Sequence, residues 1–215
     1  MDDHDGDLPI DDLEGSRANP LARLLLVTSS LWFLGEGMLG PLFAVFSEEI
    51  GGDVLEIAAL WAAFLITSGV CTATIGAWAD RKGRHEVFSL VGYVGNACVT
   101  FGYLLVDAPW QLAVVQVMLG VCSALATPTW YVLFVRSISH QPERQGFWLG
   151  LSSGQEEVAT GVAALMGGVI VSTWGFRPLF VVMGGVQLVA ASLQALALRR
   201  LKRERARAVE TRPSV

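Results

Sequence analysis

Apolar residues run along this chain in six long stretches, approximately Leu21 to Phe46, Leu55 to Trp78, Val87 to Val106, Trp110 to Val135, Phe147 to Ser172 and Pro178 to Leu198. A bilayer core about 30 Å thick takes roughly 20 mostly apolar residues as a helix, so each stretch is long enough to cross. The pattern predicts an all-α membrane protein with six transmembrane helices over 21–198, an acidic leader at 1–20 and a basic tail at 199–215. No room is left for a soluble catalytic domain, so any chemistry falls to the membrane part.

Composition agrees, with 53% hydrophobic residues, only 16% charged and a mean hydropathy of +0.50. That balance lies outside the usual range for a soluble domain of this size. The basic positions then orient the chain, because Lys and Arg in short loops stay on the cytoplasmic side. Six alternating spans place 14 of the 15 basic residues on one side, Arg177 being the exception. Both termini are therefore expected in the cytoplasm, and the protein in the inner (cytoplasmic) membrane, multi-pass. The net charge of -5 is misleading here, since the leader alone holds seven acids: Asp2, Asp3, Asp5, Asp7, Asp11, Asp12 and Glu14. With almost no apolar content it predicts disorder, and it lacks the basic start of a signal peptide, so the first helix is expected to be retained. Cys71, Cys98 and Cys122 fall one each in spans 2, 3 and 4 without the paired spacing of a metal site. They are expected to be small buried packing residues.

Between spans 2 and 3 the chain reads Gly76-Ala77-Trp78-Ala79-Asp80-Arg81-Lys82-Gly83-Arg84-His85. Each fixed position has a physical reason. Gly76 permits close helix approach in lipid, Gly83 permits the positive φ of a tight reversal, and Asp80 suits the positive N-terminus of a partner helix. A merely basic topogenic loop needs neither Asp80 nor two glycines at this spacing. The segment, with Gly76, Asp80, Arg81, Gly83 and Arg84 in place, resembles the signature of the major facilitator superfamily of secondary transporters, at the same end of the second of six helices. Trp174-Gly175-Phe176-Arg177-Pro178 is similar to the aromatic-Arg turn often found before the family's sixth helix. The chain departs from the family in two places. Gln116 stands where many members carry an arginine in span 4, and Ala163-Ala164 stand where drug antiporters carry Gly-Pro in span 5.

The resemblance implies half of a twelve-helix body, each half being an inverted pair of three-helix units. Spans 1 and 4 are then counterparts, and both carry proline: Gly40-Pro41-Leu42 in span 1 and Thr127-Pro128-Thr129 in span 4. Paired breaks at Pro41 and Pro128 point to a substrate site. A lone half exposes its cavity wall to lipid, so a second copy of the chain is expected as partner in a parallel homodimer with its two-fold axis along the membrane normal. There Asp80 faces the start of the partner's fifth helix, near Arg144.

Three acids sit at membrane depth, Glu36 in span 1 and Glu156 with Glu157 in span 5. A charge near the bilayer centre costs a few kcal/mol unless it faces protein or water, so such residues are functional by default. Glu157 shares a face with Gly150, Gly154, Gly161, Ala164 and Gly168, a small-residue seam. Glu156 shares the neighbouring face with Ser152, Thr160 and Gly167. A desolvated carboxyl exchanges its proton nearer neutral pH than a solvated one, and Glu36 is the first candidate for proton coupling. In span 4, Gln116, Gly120, Ser123, Thr127 and Trp130 form a polar stripe that reads as cavity wall. Trp32, Trp61, Trp110, Trp148 and Trp174 are expected as interfacial anchors or packing.

These features predict a transporter of a small organic solute, proton-coupled and working by alternating access, with lipid, solute and a second copy as partners. A non-transporting membrane partner that keeps the same half fold is the competing reading. Carboxylates as the main cavity charges favour neutral or cationic solutes over anions. No cofactor, metal or nucleic acid is expected. An enzyme is disfavoured, since His4, His85 and His140 all lie outside the spans and no Ser/His/Asp constellation is visible.

Overall fold

The computed structural model describes residues 20–139 and 141–210, with side chains through Lys202. The acidic leader, His140 and the last five residues lie outside the described residues. Six segments are long and apolar enough to cross a membrane: Pro20–Glu49, Val54–Lys82, His85–Leu105, Pro109–Ile138, Pro142–Trp174 and Phe176–Lys202. These are the six predicted spans, and no strand occurs among the described residues.

Span 1 is two helices, α1 (Pro20–Gly37) and α2 (Phe43–Glu49), joined through a 3-10 turn at Gly40–Leu42. Pro41, which lacks an N–H, sits inside that turn, so the predicted break is present there. Spans 2 to 6 are α3 (Val54–Lys82), α4 (His85–Thr100, extended by a 3-10 turn Phe101–Leu105), α5 (Pro109–Ile138), α6 (Gln145–Trp174) and α7 (Phe176–Glu210). The predicted break at Pro128 is absent, because α5 runs through it without interruption. The hydroxyl of Thr129 bonds back to the carbonyls of Leu125 and Ala126.

The helix ends follow local chemistry. Asp53 opens α3 as a capping box, its carboxylate accepting from the Glu56 N–H at 2.8 Å while the Glu56 carboxylate accepts from the Asp53 N–H at 3.1 Å. Gly83 closes α3 at φ 61°, the left-handed conformation expected of it. Basic residues collect at this end of the bundle, with Arg81, Lys82, Arg84, Arg136, Arg144 and Arg199 all near helix ends there. Arg177 lies at the opposite end.

The helix pairing has an internal symmetry. α1 packs on α6 and α7, α5 packs on α3 and α4, and α4 packs on α7. Exchanging span 1 with 4, 2 with 5 and 3 with 6 maps this set of pairs onto itself. Consecutive spans alternate in direction, so each exchanged pair is antiparallel and the repeat is inverted, as the resemblance implies.

Small residues make these contacts close. A Cβ on Gly92 of α4 meets the Ala126 backbone of α5 at 2.5 Å, and one on Gly120 of α5 meets the Phe64 carbonyl of α3 at 2.9 Å. In the other repeat, a Cβ on Gly37 of α1 meets Thr160 of α6 at 3.0 Å. Van der Waals approach of this kind drives helix association where lipid offers no hydrophobic gain. Polar pairs add to it. The amide of Gln194 in α7 donates to Ser89 of α4 and accepts from Thr28 of α1, both at 2.9 Å.

α3 and α6 are the peripheral helices. Only Leu60 and Ala79 of α3 are buried, and only Trp148, Ser152, Ala163 and Gly167 of α6. Gly69 and Gly76 on α3, and Gly146, Gly150, Gly154, Gly161 and Gly168 on α6, have open space where a Cβ stands. The close approach expected at Gly76 is therefore not made within this chain. The cysteines divide: Cys122 is buried, Cys71 is half-buried and Cys98 is exposed. The expectation of three buried cysteines fails at Cys98 because it lies on the outer face of α4, with exposed Val87, Val91 and Val94.

Candidate functional site

Glu36 is partly buried near the end of α1, just before the span 1 break. The break turns the chain so that Leu39, Gly40 and Phe43 continue the wall that Glu36 begins, and together they line a half-open cavity of about 90 Å³. Trp61 and Phe64 of α3 form the facing wall. The rings of Phe43 and Trp61 lie 5.5 Å apart between centroids and those of Trp61 and Phe64 5.9 Å, so one side of the cavity is a continuous aromatic surface.

The other side is polar. Thr100, Tyr103, Gln116 and Gln187 line it. The Tyr103 hydroxyl donates to the Gln116 side-chain carbonyl at 2.9 Å, which orients both across the α4–α5 junction. Tyr103 also stacks on Phe180 at 5.0 Å. Gln187 of α7 is 1% exposed and donates its amide N–H to the Trp32 carbonyl at 3.0 Å. Its carbonyl oxygen has no partner. Trp32 and the fully buried Asn96 are the polar neighbours of Glu36. No Lys, Arg or His lines this cavity.

A second, smaller cavity of about 50 Å³ lies toward the basic end. Glu156 lines it, with Ser29, Thr127, Trp130 and Tyr131. The Ser152 hydroxyl donates to the Glu156 carboxylate at 3.4 Å. One helix turn away, Gln155 donates to the Leu26 carbonyl at 3.0 Å and to the Ser29 hydroxyl at 2.9 Å, tying α6 to α1. Trp32 and Tyr93 line this cavity too, and Glu36 follows one turn after Trp32.

The structure thus divides the residues predicted from sequence. Glu36 and Gln116 share the larger cavity; Glu156, Thr127 and Trp130 share the smaller one. Ser123 lies between the two, hydrogen-bonded to Thr127 at 3.5 Å, and lines neither. Glu157 is exposed on the outer face of α6 among the open glycines. Of the two adjacent acids, Glu156 is the one that faces a cavity. Pro41 borders a shallow groove beside Val54 and Trp61, whereas Pro128 lines neither the Glu36 nor the Glu156 cavity. In the loop segment, Asp80 is exposed and lies 3.4 Å from the Nε2 of His85, which is buried. Arg81, Lys82 and Arg84 are exposed around it.

Sequence reading missed Gln187, Asn96, Tyr103 and the aromatic wall. The amides carry a legible signal, since a buried amide in a lipid-facing helix needs a partner as a carboxylate does. Trp61 was expected as an anchor and instead lines the cavity. Trp32 and Trp148 pack inside the bundle, Trp148 donating to Gln141 at 3.1 Å, while Trp110 and Trp174 are exposed.

Residues 25–214 match the family pattern described as Major Facilitator Superfamily. Among similar proteins, the multidrug resistance protein MdtG of Salmonella typhimurium and that of Citrobacter koseri are each 26% identical over 198 residues, covering 90% of this chain and 48% of the relative. MdtG of Salmonella arizonae is 26% identical over 204 residues, covering 92% of this chain and 50% of the relative. The chain spans about half the length of the curated relatives it matches.

Proposed function

Because the chain belongs to the major facilitator superfamily, we propose that it forms one six-span half of a secondary transporter that moves a small organic solute by alternating access. The observation that carries this reading is the Glu36 cavity. It holds one carboxylate at membrane depth, at the only break in the spans among the described residues, inside a bundle built as an inverted repeat. A break of this kind next to an ionisable side chain marks a transport site rather than a packing defect. The relatives named as multidrug resistance proteins support an organic solute. Glu36 carries the coupling proton, giving it up when the cavity opens to one face and regaining it from the other.

The second half is a second copy of this chain, arranged in parallel about an axis along the membrane normal. The open glycines of α3 and α6 support this, because two-fold symmetry brings α3 of one copy against α6 of the other, small residue to small residue. The basic end, with Asp80 to Arg84, lies in the cytoplasm of an inner-membrane protein with both termini inside.

Flux into liposomes under an imposed pH gradient tests the reading. The protein moves solute in response to the gradient, and Glu36→Gln folds but loses the response. A wild-type protein that moves no member of a panel of organic amines, alcohols and acids overturns it. Cysteines at Asp80 and Gln145 on differently tagged copies test the assembly. They cross-link between copies in a homodimer, and cross-links within single chains alone exclude it.

A further inference from the structure

The hydrogen-bond valences of the Glu36 cavity favour one kind of ligand head. Gln187 cannot turn its amide over, because only the NH₂ group can donate to the Trp32 carbonyl. Its carbonyl oxygen is therefore the atom left over, in a side chain 1% exposed, and it has no partner. A buried orphan acceptor is costly unless a ligand or water supplies a donor. Glu36 beside it is acceptor-only when ionised.

The other walls point the same way. Thr100 uses its hydroxyl on the Asn96 carbonyl at 2.8 Å, so it offers the cavity no free donor. The Tyr103 proton is given to Gln116. The donors that remain are the Gln116 amide N–H in the lining and the Asn96 amide N–H beside Glu36, and both are neutral. Among the described residues no cationic side chain lines the cavity. The aromatic surface of Phe43, Trp61 and Phe64 lines the same cavity and attracts a cation through its ring faces. It also covers an apolar body.

Resting on the transporter reading above, we propose that this cavity selects a protonated organic amine, its ammonium N–H groups donating to Glu36 and the Gln187 carbonyl and its apolar body lying against Trp61 and Phe43. The cavity beside Glu36 is the roomier of the two, about 90 against 50 Å³ beside Glu156, which favours it for the amine body. The proposal narrows the solute from neutral or cationic to cationic, and it gives Gln187 a role in specificity as a positioning acceptor.

The test is equilibrium binding to the purified full chain in lipid nanodiscs, with three probes that share one body: 3-(1-naphthyl)propylammonium, the matching alcohol and the matching carboxylate. A charge-assisted contact desolvated in the cavity gives the ammonium a preference over the alcohol of about tenfold or more. The carboxylate binds weakest. Glu36→Gln removes the preference by lowering the ammonium's affinity about tenfold more than the alcohol's. Glu36→Asp keeps the preference and serves as the folded control. Gln187→Met lowers the ammonium's affinity more than the alcohol's, and Trp61→Leu weakens all three. A carboxylate that binds as well as the ammonium overturns the proposal, as does an ammonium preference that survives Glu36→Gln, or no binding of any probe. The assay needs no flux, so a failed preference in a protein that still transports discards the amine selection and leaves the transporter reading standing.

Discussion

The rings of Trp32 and Tyr93 lie 4.7 Å apart, tilted by 58°, and both are buried. The pair stands between the two carboxylates: both rings line the Glu156 cavity, and Tyr93 is within electrostatic range of Glu36 and Glu156 together. If this pair is the partition between the two cavities, removing one ring joins them. In a background without native cysteines, Trp32→Ala is expected to join them. Thr127→Cys in the smaller cavity and Thr100→Cys in the larger should then react with a charged thiol reagent from the same face, where in the parent they differ. Identical labelling patterns in parent and variant exclude the partition.

Gln194 carries a different kind of prediction, since it is fully buried and joins three helices through Thr28 and Ser89. Gln194→Ala leaves both hydroxyls short of a partner and opens a gap. The expected loss is about 1 to 2 kcal/mol, because side-chain hydrogen bonds between membrane helices are individually modest. Gln194→Met, which keeps the volume, should recover part of it. Reversible unfolding in mixed micelles measures both.

The six spans were legible because lipid imposes a length and a composition that no packing detail can override, and the loop from Gly76 to Arg84 was legible because its residue types are spaced by a turn. Pro128 shows where such reading ends. Proline removes one donor at either site, yet α5 continues through Pro128, whereas span 1 at Pro41 departs from α-helix between Gly37 and Phe43. Which way a helix face points was likewise hidden. Glu156 and Glu157 are adjacent in sequence, and only the docking of α6 on α1, fixed in part by Gln155 on Ser29, turns Glu156 inward. The Glu36 cavity needed Gln187 and Trp61, which come from the last and second spans and share no sequence pattern with span 1.

The glycines separate contacts within the chain from those with a partner. Gly92 has the Ala126 backbone at 2.5 Å from where a Cβ stands, so Gly92→Val must push α4 from α5 and should sharply lower the yield of folded protein. Gly154 faces open space at the same test. Gly154→Val should leave the melting temperature of the isolated chain near that of the parent while weakening association between copies, read as lost energy transfer between differently labelled chains in lipid. Unchanged association with Gly154→Val removes this face of α6 from the interface.

Asp80 separates a gate from a cap in the same way. Its carboxylate is 69% exposed and lies 3.4 Å from the buried His85, and with one partner in solvent the contact contributes at most about 1 kcal/mol. Asp80→Asn should therefore shift unfolding by no more than that. If the loop closes the basic end against a second copy, the same variant should slow solute flux far more than it lowers stability, because an anion aimed at the partner's α6 N-terminus acts only in the closed state. Asp80→Glu, which keeps the charge, should restore part of the flux, and a His85→Gln variant should leave flux near that of the parent. Loss of flux in proportion to lost stability across all three variants would place Asp80 with the helix caps and remove it from the gate.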